Sequence, residues 1–241
     1  MIVLSVPPID GVVLTPALAR YVDGYMLEGV DVALLDIGIS GARMDGARKA
    51  RRAYEFYMDS LKALSSLETP PSRILLVVPD SFDIRQHLRL AETWRMYARK
   101  IEREWSRSFR TTYLFVVRRF LRSDAADREA TRRLAEYVEE YRGVAVPANI
   151  DTADHRDVKC AREPSICIAH IRAALETFGD VAEWRHVLGP PIKAVLSRIY
   201  GDPRIDSADT TSHRLDILSR LGTRRPSTLH LLTAYASYIR R

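Results

Sequence analysis

The sequence predicts an α/β fold, a compact (β/α)8 TIM-type barrel formed by residues 1–241 as one domain. Three observations predict it. Short apolar runs alternate with longer segments of helical period, as in parallel βαβ units. The runs are apolar throughout rather than alternating, as strands buried on both faces must be, and Ile74-Leu-Leu-Val-Val is the plainest case. Several runs lead into an aspartate, Val32-Ala-Leu-Leu-Asp36 and Ile74-Leu-Leu-Val-Val-Pro-Asp80 among them, and Arg204-Ile-Asp206-Ser-Ala-Asp209 follows the same pattern. The carboxyl ends of strands are where such folds build their sites.

Strands are expected over 2–6, 12–14, 32–36, 73–78, 112–117, 143–146, 186–188 and 204–207. The first helix, 46–64, places Ala50, Ala53, Tyr54, Tyr57, Met58, Leu61 and Leu64 on one face and Lys49, Arg51, Arg52, Glu55, Asp59 and Lys62 elsewhere. Further helices are expected over 84–105, 127–141, 165–178, 192–199, 213–220 and 227–240. Residues 149–164 carry charge without apolar period and read as a long βα loop, the kind that frames a barrel's active site. An open doubly wound sheet is the alternative architecture. No Gly-x-Gly-x-x-Gly or phosphate-loop pattern follows a strand, which counts against its nucleotide-cofactor version.

No stretch of 18 apolar residues occurs, and residues 1–8 lack the pattern of a secretory leader, so a soluble cytoplasmic protein without membrane contact is expected. The net charge of +6 rests on arginine, since only five of the 37 basic residues are lysine. Guanidinium groups pair with phosphates in a planar, two-pronged way, so a nucleic-acid partner is one reading and a surface of ion-pair networks the other. Cys160 and Cys167 leave three readings open: one disulfide, buried thiols, or a metal site with His155 and His170, although His-x4-Cys-x6-Cys-x2-His matches no usual zinc spacing. No resident metal is expected.

Asp36, Asp80 and Asp209 would converge on one rim from three strands, where carboxylates can hold a metal, bind a polar base, or divide acid, base and nucleophile roles. Each also has a structural reading. Asp80 fits a turn or a helix start, Asp36 a loop before Gly38, and Asp206 and Asp209 the start of a helix at Thr210-Thr-Ser212.

Taken in order, Asp36-Ile-Gly38-Ile-Ser40-Gly41, a Tyr-rich helix, Val78-Pro79-Asp80, His186-Val-Leu-Gly189-Pro190-Pro191 and Ile205-Asp206-Ser-Ala-Asp209-Thr-Thr-Ser212 resemble the tRNA-guanine transglycosylase superfamily. That superfamily comprises the queuine- and archaeosine-type transglycosylases and the related 7-deazaguanine DNA-modification enzymes. The resemblance runs from about Val32 to Arg214, through motifs that are short singly and ordered together. It implies a cofactor-free barrel enzyme that replaces guanine in a nucleic acid, tRNA in preference to DNA, by a 7-deazaguanine through a covalent aspartyl-glycosyl intermediate. It assigns Asp209 as nucleophile, Asp36 to proton transfer and Asp80 to the base edge, with Gly38, Ser40, Gly189 and Arg118 completing the base pocket.

Arg118 stands where the transglycosylases usually have a Gln-Gly pair, Ile37 where they usually have Ser, and the Cys-x-Cys-x2-Cys zinc subdomain is absent. The phosphate backbone would then be held by Arg119, Arg122, Arg214, Arg224 and Arg225, with Arg107, Arg110, Arg220, Arg240 and Arg241 as further candidates. The aromatic residues between these arginines, Phe109, Tyr113, Phe115 and Phe120, read mainly as core. The competing functions are a noncatalytic nucleic-acid-binding partner of a modification enzyme, and a metal-dependent hydrolase on the same carboxylates. A homodimer is compatible with either.

Overall fold

The computed structural model describes residues 2–5, 11–14, 31–37, 45–81, 83–117, 125–148, 150–151, 157–158, 163–189, 195, 197–199 and 202–210. In chain order these form β1 (Ile2–Ser5), β2 (Gly11–Leu14), β3 (Val32–Leu35), α1 (Gly46–Ser65), β4 (Arg73–Val77), α2 (Ile84–Trp105), β5 (Arg110–Val116) and α3 (Ala125–Tyr141). There follow β6 (Arg142–Pro147), β7 (Ile150–Asp151), β8 (Asp157–Val158), α4 (Pro164–Phe178), β9 (Trp184–Leu188), the single turn α5 (Ser197–Ile199) and β10 (Ser207–Thr210). The helices expected over 213–220 and 227–240 lie outside the described residues, as does half of the one expected over 192–199.

The class is α/β, built on a curled parallel sheet. β2, β3, β4, β5, β6, β9 and β10 follow one another in parallel pairs, and β1 lies between β10 and β2, antiparallel to both. That antiparallel strand departs from eight parallel strands, and the cause is chain length. Only residues 6–10 separate β1 from β2, too few for the crossover that a parallel pair needs.

Two sets of alternating side chains explain the unbroken apolar runs. Val32, Leu34, Leu75, Val77, Leu114, Val116 and Ala145 pack together inside the curl, with Trp184 and Leu188 against them. Their neighbours Ala33, Leu35, Ile74, Leu76, Phe115 and Val144 pack outward in the helical layer. The interior is therefore filled by side chains, as in barrel cores generally.

Helices α1 and α2 start where their sequences place an N-cap. The Asp45 carboxylate accepts from Arg48 N at 2.9 Å, and that of Asp83 accepts from Gln86 N at 2.8 Å. Their seam is aromatic: Tyr57 meets Trp94 edge-on at 5.7 Å, and Tyr54 stacks on Tyr97 at 4.8 Å. Phe115 stacks on Tyr137 and Tyr141 of α3 at 5.3 and 6.1 Å. The Tyr113 and Tyr141 hydroxyls donate to Ala98 O and Ala91 O of α2 at 2.9 and 2.7 Å, so each buried ring keeps its polar end satisfied. Phe109, Tyr113 and Phe115 are thus core, as expected, while Phe120 is outside the described residues. Between β5 and β6 the backbones approach so closely that a Cβ on Gly143 would lie 2.7 Å from Tyr113 O.

Polar side chains close the amino end of the sheet. The Arg73 guanidinium lies 4.7 Å over the Trp184 ring, whose Nε1–H donates to Ser207 Oγ at 2.8 Å. Ser207 in turn bonds His186 Nδ1 at 2.7 Å, with both residues fully buried. Asp206 accepts from Arg185 N, Nε and Nη2 at 2.7–3.0 Å. Asp206 therefore belongs to this end, which corrects the strand expected over 204–207. The strand begins at Ser207, and its polar run Ser-Ala-Asp-Thr lacks the apolar signature that would have set its register.

The 149–164 segment also differs from the loop expected of it, because β7 and β8 pair within it as a short antiparallel ribbon. Beside it in sequence, Cys167 is disulfide-bonded, while Cys160 lies outside the described residues. That selects one of the three readings of the pair, and it leaves Cys167 without the thiolate that a metal would need.

One turn along α4, His170 is fully buried and, among the described residues, neither ring nitrogen has a hydrogen-bond partner. Burial lowers its pKa to about 4, and the nearby Val117 backbone only partly offsets this. Between pH 6.5 and 4 the unfolded chain takes up a proton that the folded chain refuses, so stability falls as pH falls through that window, by up to about 3 kcal/mol. Urea denaturation at several pH values should show this decline in the wild type, with a flatter profile and undiminished stability at pH 7 in His170→Leu. An unchanged acid-side decline in that variant would locate the sensitivity elsewhere.

Candidate active site at the carboxyl ends of β3 and β4

Asp36 follows β3 and Asp80 lies three residues beyond β4, so two carboxylates leave adjacent parallel strands at the same end. Asp36 is half-buried and Asp80 is 6% exposed. The buried phenol of Tyr57 lies within electrostatic range of both and donates to Val77 O at 2.6 Å. Its pKa is raised well above that of a free phenol, first by burial and then by the negative charges of Asp36 and Asp80, with a hydrogen bond from the Ile37 backbone acting the other way. Tyr57 is therefore a fixed neutral donor that feels the negative charge of both aspartates.

The segment carrying Asp80 is held from three sides. Val78 N donates to Leu114 O of β5 at 2.9 Å. From α1, Tyr57 takes the Val77 carbonyl, and Lys49 Nζ reaches the Asp80 backbone carbonyl at 3.5 Å. From α2, His87 accepts from Ser81 N through Nδ1 at 3.4 Å and contacts Val116 O through Nε2 at 2.9 Å, which defines the Nε2–H tautomer. Ser81 Oγ also bonds Gln86 Oε1 at 3.3 Å. Two buried polar side chains, Lys49 and His87, are thus spent on fixing a loop backbone, the kind of support that holds a functional group to a narrow range of positions.

Lys49 corrects the sequence reading of α1, which set it apart from the apolar face. It is 3% exposed and lies on the buried face with Ala53 and Tyr57, four and eight residues on. That spacing was the available signal, a cation in phase with the core stripe. His87, three residues before Leu90 and seven before Trp94, gave the same signal on α2.

Elsewhere on the sheet, Gly189 ends β9 with φ at +62°, and nothing lies within 4 Å of where a Cβ would stand. This is a left-handed backbone facing open space, which favours glycine. Asp209 lies in β10, paired with Val3 and two residues beyond Ser207. The structure thus brings Asp36 and Asp80 to one phenol, while Gly189 and Asp209 belong to the neighbouring strands β9 and β10. Gly38, Ser40, Arg118, Arg119, Arg122, Arg214, Arg224 and Arg225 lie outside the described residues. Among the described residues, no three His, Cys, Asp or Glu side chains group as metal ligands, and no helix is long and apolar enough to cross a membrane.

The interior below the rim is packed with Val77, Val116 and Leu188. A flat heterocycle with adjacent N–H donors suits a floor of apolar side chains beside carboxylate acceptors. No protein-family model, curated protein or solved structure matches the chain.

Replacing Tyr57 by Phe removes the donor to Val77 O and should cost about 1–2 kcal/mol of stability in urea denaturation. A loss below about 0.3 kcal/mol would mean that the phenol does not hold the β4 terminus.

Proposed function

We propose that the chain is a base-exchange glycosyltransferase that replaces guanine in a nucleic acid by a 7-deazaguanine, and that its curled sheet is a variant (β/α)8 barrel with one reversed strand. The observation that carries the reading is the pair of carboxylates, Asp36 and Asp80, leaving adjacent parallel strands beside one neutral phenol above an apolar floor. The ordered motifs shared with the transglycosylases supply the reaction class.

In this reading Asp80 accepts hydrogen bonds from N1–H and the exocyclic amine of the guanine, and its braced backbone fixes where the base lies. The Asp209 carboxylate attacks the anomeric carbon of the ribose. The C1′–N9 bond breaks through an oxocarbenium-like transition state, and its electron pair passes to N9 of the leaving base. Asp36 supplies the proton that the leaving base needs and takes one from the incoming base, whose nitrogen then displaces the aspartyl ester. The target nucleotide must leave its stack to reach the rim. The sequence of steps uses only carboxylates and protons and calls for no cofactor.

Incubation with radiolabelled guanine and with a labelled 7-deazaguanine, using tRNA and then DNA as acceptor, should transfer label to the polynucleotide. Asp209→Asn should reduce transfer at least a thousand-fold, and Asp36→Asn should reduce it strongly while leaving polynucleotide binding intact. Absence of transfer with every acceptor, despite retained binding, would replace this reading by that of a noncatalytic binding partner.

A further inference from the structure

Two groups of arginines differ in what they do. Arg95, Arg132, Arg142, Arg185 and Arg204 each meet a carboxylate in an ion pair. Arg48 and Arg52 of α1 and Arg85 and Arg89 of α2 are exposed, and none of the four is in an ion pair among the described residues. The first group is the ion-pair network that an arginine-rich surface allows; the second requires another explanation.

Their position supplies one. Each helix follows a strand of the parallel sheet, so its first turns lie at the carboxyl end, and the contact of Lys49 with the Asp80 carbonyl places the first turn of α1 directly at the candidate site. Cations are disfavoured in the first turn of a helix, where the dipole is positive, by about 0.3–1 kcal/mol each. Neither helix has an acidic residue there beyond its N-cap aspartate, which is engaged with a backbone N–H.

The charge is also segregated. Helix α1 carries five cationic against two anionic side chains and α2 six against three, a joint surplus of six that equals the net charge of the whole chain. Helix α3 carries three against five. Within their first eight residues, the part at the carboxyl end, α1 carries four cationic side chains and α2 two, with no anionic one in either stretch, so positive charge gathers there against local helix preference, which is how proteins raise the local concentration of a polyanion.

We infer that the amino-terminal turns of α1 and α2 are the docking face for the phosphodiester backbone of a nucleic acid, with Arg48, Arg52, Arg85 and Arg89 pairing with successive phosphates and delivering the strand to the mouth beside Asp36 and Asp80. The inference rests on the nucleic-acid half of the function proposed above, and adds a binding surface distinct from the arginines that the sequence motifs nominate. Recognition here is by charge and spacing, so it is independent of base sequence.

Fluorescence anisotropy with labelled single-stranded and duplex oligonucleotides, at 50 to 300 mM salt, tests it. Relative to wild type, the full-length Arg48→Gln/Arg52→Gln/Arg85→Gln/Arg89→Gln variant should bind at least ten-fold more weakly at 100 mM salt. For duplex, the slope of log affinity against log salt should flatten by about 3 to 4, near 0.9 for each phosphate no longer neutralised. A charge-matched control, Arg132→Gln/Arg133→Gln/Arg172→Gln/Arg198→Gln, should bind almost as wild type, and both variants should keep the wild-type circular dichroism spectrum and melting transition. An unchanged slope, an equal weakening in the control, or tighter binding to phosphatidylserine vesicles that oligonucleotides do not displace would overturn the docking face. Arginine-dependent binding without base exchange would leave it standing and remove only the catalytic reading.

Discussion

The buried Tyr57 hydroxyl of α1 donates to the last carbonyl of β4 at 2.6 Å, and the geometry of the mouth depends on that bond. A carbonyl at a strand end has lost its ladder partner and would be costly to bury alone. Supplying the donor from a helix side chain lets β4 stop at Val77 and turn the chain through Val78, Pro79 and Asp80 without exposing backbone. The phenol also cannot become an anion under ordinary conditions, since burial and the charges of Asp36 and Asp80 all oppose it. The two carboxylates therefore have a neutral, donating neighbour rather than a third negative charge.

The two ends of the sheet are built for different purposes. At the amino end, arginine is consumed structurally: Arg73 on Trp184, Arg185 on Asp206, and Arg110 and Arg142 on Glu183. The hydrogen-bond chain from Trp184 through Ser207 to His186 closes the interior behind them. At the carboxyl end the polar groups are one buried and one half-buried acid, braced backbone and surface cations that meet no carboxylate among the described residues. An end satisfied from within holds the fold together, whereas an end with charge left over is suited to a charged ligand.

What could be read in the sequence divides along physical lines. The parallel α/β class was legible because two-sided burial imposes unbroken apolar runs, and helix α2 begins at Ile84 and ends at Trp105 as its periodicity predicts. The reversed strand β1 was legible in principle from the length of 6–10 but was outweighed by the eightfold alternation. β10 was shifted because Ser207, Ala208, Asp209 and Thr210 carry no strand pattern, so Asp206 reads as the end of a strand that it in fact precedes. At the site, Asp36 and Asp80 were visible as acids closing apolar runs. Lys49 and His87 were visible only as polar residues in phase with an apolar stripe; what they hold was not, since hydrogen bonds to a carbonyl or an amide leave no mark on the residues that receive them.

The proposed function turns on a guanine-type base binding at the rim beside Asp36 and Asp80. A crystal of the protein soaked with guanine or a 7-deazaguanine puts this to the test. The heterocycle should lie flat above Val77, Val116 and Leu188, with its N1–H and exocyclic amine within hydrogen-bond distance of the Asp80 carboxylate. A base bound at another surface, or density at the rim only for a metal ion held between Asp36 and Asp80, would contradict it.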